Sequence, residues 1–127
     1  MKREIIKTDE SGNLILPADM DEIAMTKYEI AELFGVIAPT ILAAIKAVYR
    51  SGVIREEDAK RYLHRTNGNI IEVYSLETIF ALAFRIDSFG ANKVREYLFR
   101  TLRANGTRSA VHLLLTCSRI AEAIPPN

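Results

Sequence analysis

Residues 26–52, TKYEIAELFGVIAPTILAAIKAVYRSG, constrain the fold more than any other stretch of the chain. Thr26 and Glu29 stand as T-x-x-E, the spacing at which hydroxyl and carboxylate each accept a first-turn N–H, so a helix begins here. Ile30, Ala31 and Phe34 fall on one face of it. Gly35 ends it, because without a Cβ the chain turns at positive φ at little cost. Pro39 suits the first position of a second helix, where its missing N–H loses nothing. Val36, Ile41 and Ile45 form that helix's inner stripe, and Ile41, Leu42, Ile45, Val48 and Tyr49 carry it to a stop at Ser51-Gly52. Two short amphipathic helices across a glycine turn are the skeleton of a helix-turn-helix, whose second helix enters the DNA major groove. Its outward residues are Ile37, Ala38, Pro39, Thr40, Leu42, Ala43 and Lys46. Only Thr40 and Lys46 can hydrogen-bond a base or a phosphate.

The flanking segments extend this unit. Runs at 4–7 and 13–16 around Asp9-Glu10-Ser11-Gly12 predict an N-terminal β-hairpin, with a third short strand at 23–25. Glu56, Glu57 and Asp58 open a connecting segment or helical turn. Runs 61–65 (RYLHR) and 70–74 (IIEVY) flank Thr66-Asn67-Gly68-Asn69, and Asn-Gly between such runs is a strong hairpin signal. A helix-turn-helix followed by a β-hairpin is the layout of a winged helix. Ser75 then caps a helix over 76–86 with Leu76, Ile79, Phe80, Ala83 and Phe84 inward. Asp87-Ser88-Phe89-Gly90 breaks it, a helix follows over 91–103, and a last one is expected over 108–123. The fold class expected is α+β: one domain over 1–127, with a β-hairpin and short strand (1–25), a helix-turn-helix plus wing (26–75) and C-terminal helices (76–127).

The pieces EIAELFGV (29–36), AIKAVYRSGVI (44–54) and VYSLETIFALAFRIDSFGANKVREYLFRTL (73–102) come in an order that resembles the virulence-associated RhuM-like family of small bacterial proteins. The resemblance covers about two thirds of the chain and rests on motif order. It implies a winged-helix, DNA-binding-like protein connected with regulation or mobile elements, and it brings no catalytic motif. The chain departs from the family where Ser and Arg or His usually surround the recognition helix. Ile37, Ala38, Ala43 and Ala44 stand there instead.

Candidate contacts divide into two sets. Lys46 and Arg50, one helical turn apart, are placed for phosphates at a groove edge, with Thr40 as the one polar reader. Lys60, Arg61, His64 and Arg65, around Asn67-Gly68, make a basic hairpin that can reach backbone or minor groove. The second set is apolar. Ile37, Leu42 and Ala43 on an outward helix face indicate an interface with protein or, as the alternative, with thymine methyl groups. Leu114, in an expected last helix apolar around its girth, points to core or a dimer seam. A basic row at Lys93, Arg95, Arg100 and Arg103 reads as a solvated face more readily than as a DNA contact.

Composition limits the remaining classes. The net charge of +1 excludes a histone-like polyanion binder, yet the charge is unevenly placed. Residues 1–58 hold 7 Lys/Arg against 11 Asp/Glu (net −4), and residues 59–127 hold 10 against 5 (net +5). Cys117 is the single cysteine, so no intrachain disulfide forms, which suits a reducing cytoplasm. No signal-peptide run opens the chain, and no stretch approaches the roughly 20 apolar residues of a membrane span. His64 and His112 lack partners at metal-ligand spacing, and no nucleotide-binding glycine motif occurs. The expectation is a cytoplasmic, non-enzymatic protein without metal or cofactor. Its partners are double-stranded DNA, and a second copy of the chain or another protein. Two functions stay open: a DNA-binding regulator, or an interaction module on the same scaffold.

Overall fold

The computed structural model describes residues 3–105; the expected last helix, with Leu114, His112 and Cys117, lies outside them. The described chain is α+β, with five helices and two two-stranded antiparallel sheets. The first hairpin pairs β1 (Lys7–Thr8) with β2 (Leu14–Ile15), shorter than the runs 4–7 and 13–16 suggest. Its turn is held by the Asp9 carboxylate, which accepts from the N–H groups of Ser11 and Asn13, both at 2.9 Å. A single 3-10 turn (Met20–Glu22) follows. The strand expected at 23–25 is instead two isolated bridges, Ile23 with Glu4 and Met25 with Tyr74. Each residue there is shared between different neighbours, so no continuous ladder develops, yet the segment ties the N-terminus to the second hairpin.

Helix α1 (Lys27–Phe34) begins at the expected capping box, with Thr26 and Glu29 satisfying each other's N–H groups. It ends at Gly35, φ 72°, in the left-handed region. Helix α2 (Ala38–Arg50) starts one residue before Pro39, so proline takes its second position, where an N–H is equally unneeded. The two helices bend 107° at the break. Helix α3 (Glu56–Ala59) is a single acidic turn leading into β3 (Lys60–His64), which pairs with β4 (Ile70–Tyr74) in the register Lys60–Tyr74 through His64–Ile70.

Helix α4 (Leu76–Arg85) occupies the centre, packed on α2 on one side and α5 on the other. The one-sided stripe expected for it is therefore too narrow: Thr78, Ala81 and Leu82 are buried as well, while Leu76 and Phe84 are only partly so. A helix between two others has no solvent face over its middle. Thr78 is tolerated there because its hydroxyl meets that of Tyr49 at 3.0 Å. Ile30, Phe34, Ile41, Val48, Ile79 and Leu98 complete the core, each worth about 2 kcal/mol of transfer free energy.

Helix α5 (Phe89–Asn105) begins two residues earlier than position 91, and Ser88 is the reason. Its hydroxyl accepts from the Ala91 N–H at 3.1 Å, capping α5, and donates to the Phe34 carbonyl at 2.7 Å, at the end of α1. One side chain thus joins two helix ends. Gly90 makes the junction tight, since a Cβ there would lie 2.2 Å from the Leu33 carbonyl oxygen. No single described helix is long and apolar enough to cross a membrane.

Candidate nucleic-acid interface

Helix α2 has two distinct sides. Ile41, Ala44, Ile45 and Val48 face the core, and Ile37, Pro39, Thr40, Ala43, Lys46 and Arg50 are exposed. Between them, Leu42, Ile45 and Tyr49 turn toward the β3–β4 hairpin. There they line a groove of about 510 Å³, with Lys46 and Arg50 at its edge and Glu56, Lys60, Glu72 and Tyr74 across it. Leu42, expected on the open face, is half-buried in this groove. Ile37, at 69% exposure, is the one large apolar side chain that α2 and its N-cap leave open.

The hairpin is anchored at its base and free at its tip. Tyr74 is buried beside Tyr49, ring centres 6.4 Å apart, and its hydroxyl donates to Glu72 at 2.8 Å. Burial, then the adjacent Glu72 carboxylate, holds this phenol protonated well above the ordinary tyrosine range. Lys60 sits between Glu56 at 3.0 Å and Glu72 at 3.6 Å. The Glu56 hydrogen bond first, then the field of Glu72, raises its pKa, so it stays charged but locally neutralised. Met25 bonds Tyr74 through both backbone directions, at 3.1 and 2.8 Å, fixing the hairpin against the entry to α1.

The free cations lie further out. Arg61, His64 and Arg65 are exposed, and with Lys46 and Arg50 they enter no salt bridge among the described residues. No acid occurs along α2 or between Arg61 and Ile71. Asn67 is exposed, and its carbonyl oxygen accepts from the Asn69 N–H at 3.0 Å, shaping the turn with Gly68 at φ 88°. On the other side of the hairpin, Arg3, Thr26, Leu63, Arg65 and Ile71 border a second hollow of about 490 Å³.

The α5 basic row divides. Arg95 donates to the carbonyls of Ala83 and Ile86 at the end of α4, a packing role that sequence spacing did not reveal. Lys93 pairs with Glu96 and lies over the Phe89 ring, while Arg100 and Arg103 are exposed. Two further residues escaped sequence reasoning. Arg3 binds Glu29 and the Ala24 carbonyl, and Tyr28, 66% exposed beside Lys27, stands at the start of α1. Nothing in residue spacing points to Arg3. Tyr28 was legible as an aromatic off the inner stripe.

Among the described residues no three His, Cys, Asp or Glu side chains come together as a metal site requires. No protein-family model, curated protein or solved structure matches the chain.

Proposed function

We propose that the chain is a winged-helix DNA-binding regulator of the RhuM-like kind, in which α2 is the groove helix and the β3–β4 hairpin is the wing. One observation carries the reading: Lys46 and Arg50 on α2 and Arg61 and Arg65 on the outer part of the hairpin are exposed and unpaired among the described residues. Neither α2 nor the stretch from Arg61 to Ile71 holds an acid, and the groove's own carboxylates, Glu56 and Glu72, are taken up by Lys60. Cations released from internal pairing are what phosphate binding needs, because each contact liberates condensed counterions. Lys60 is set apart from this role by Glu56 and Glu72; it braces the wing. Asn67 likewise serves the turn. Thr40 and His64 supply the polar contacts that remain.

The alternative, a protein-interaction face made by Ile37, Leu42 and Ala43, is weakened by the half-burial of Leu42. Phosphate-dominated binding predicts a linear fall of log affinity with log salt of about 0.9 per phosphate contacted, so roughly 3 to 4 for four cations. Fluorescence anisotropy with a labelled duplex measures it. Lys46→Glu and Arg61→Glu should each weaken binding and flatten the slope by about 1. Affinity that ignores both salt and these substitutions rejects the reading.

A further inference from the structure

We propose that α2 reads thymine methyl groups, through Ile37, Thr40 and Ala43. The inference rests on the DNA-binding reading above and specifies what the groove helix recognises. From Ile37 to Ile45 the only polar side chain is Thr40. The bidentate readers of guanine and adenine, Arg, Lys, Asn and Gln, are absent from this half of the helix, so base-edge hydrogen bonding has one donor at most. What the exposed face offers instead is methyl groups on short side chains. Ala43 and Thr40 let the helix axis approach the bases closely, and the thymine C5 methyl is the apolar feature of the major groove.

The charges around this row fit the same occupant. Lys46 follows Ala43 by three residues and Arg50 follows Lys46 by four, so both cations continue the exposed face toward the groove edge. Ile37 to Ala43 covers about 9 Å of helix, the length of two or three base-pair steps. A second copy of the chain would need far more. A stable interface buries about 800 Å² per partner, and here a single large apolar side chain stands open on α2.

The test compares short alternating A·T duplexes containing thymine with the same duplexes containing uracil, which differ only in the C5 methyl. Anisotropy titrations use the full chain and an Ile37→Ala/Thr40→Ser double variant, both at exposed positions. We expect the thymine duplex to bind about three- to tenfold tighter, and the double variant to lose most of that ratio while keeping the salt slope. Equal affinity for the two duplexes with a steep salt slope would overturn the methyl reading and leave phosphate binding standing. No affinity for either duplex at low salt would overturn both. Concentration-dependent self-association abolished by the double variant, seen by sedimentation without DNA binding, would assign the face to a second copy instead.

Discussion

Gly90→Ala sets two physical effects of opposite sign against each other. Helix propensity alone favours the change, because alanine in a helix is better than glycine by up to about 1 kcal/mol. Packing opposes it. The added Cβ would stand 2.2 Å from the Leu33 carbonyl oxygen and 2.6 Å from the Phe34 Cα. Both are backbone atoms, so no rotamer change relieves the contact, and α5 must move bodily from α1. Insertions into packed sites cost about 1–3 kcal/mol where side chains can yield, which puts this one at about 3 kcal/mol or above. For a domain of this size that lowers Tm by about 10–20 °C. Gly35→Ala is the control: φ is 72° with no atom within 4 Å of the new Cβ, leaving only left-handed strain of about 1–2 kcal/mol. Urea unfolding of both variants gives the comparison. A Gly90→Ala midpoint at or above wild type, or equal to that of Gly35→Ala, refutes the close α1–α5 junction.

Two further expectations concern helix starts. Ser75 holds the N-cap position of α4, yet its hydroxyl is buried and makes no hydrogen bond among the described residues. Ser75→Ala should therefore cost less than about 0.5 kcal/mol, where a working cap would lose about 1 kcal/mol, and chemical unfolding distinguishes the two. At α1, burial raises the Glu29 pKa, but hydrogen bonds from Arg3 and Thr26 outweigh it and the net shift is downward. A depressed folded pKa gives stability that is present above the unfolded value, about 4.3, and lost as pH falls through the folded one. The stability gap between wild type and Glu29→Gln should be constant above about pH 5 and close on further acidification. A gap that persists unchanged at pH 3 would exclude the ion pair as its source.

The parts legible in the sequence are those whose signals are local. The Thr26–Glu29 box, Gly35, Ser51-Gly52 and Asn67-Gly68 each specify a backbone conformation within a few residues, and the helix and hairpin limits follow them closely. What stayed hidden depends on distant partners. Ser88 stands in a break by sequence alone, because its second bond is to Phe34, 54 residues away. Residues 23–25 form no continuous strand since their bridge partners, Glu4 and Tyr74, come from segments far apart in sequence and run in opposite senses. Among candidate contacts, Lys46 and Arg50 are exposed at the α2–hairpin groove, His64 and Arg65 are exposed at the hollow on the hairpin's other side, and Arg61 is exposed on the hairpin without lining either. Lys60 differs because the hairpin register brings Glu72 to it from β4, while Glu56, four residues before it, was a local pair that spacing alone could have flagged.

Backbone amide shifts of the labelled protein, recorded while a short duplex is added at low salt, address the proposed surface most directly. The account predicts changes concentrated in α2 from Ile37 to Arg50 and in the hairpin from Arg61 to Asn69, with α4 and the 93–103 stretch of α5 unmoved. Shifts confined to α5, or no shifts at duplex concentrations that saturate ordinary winged-helix binding, would contradict it.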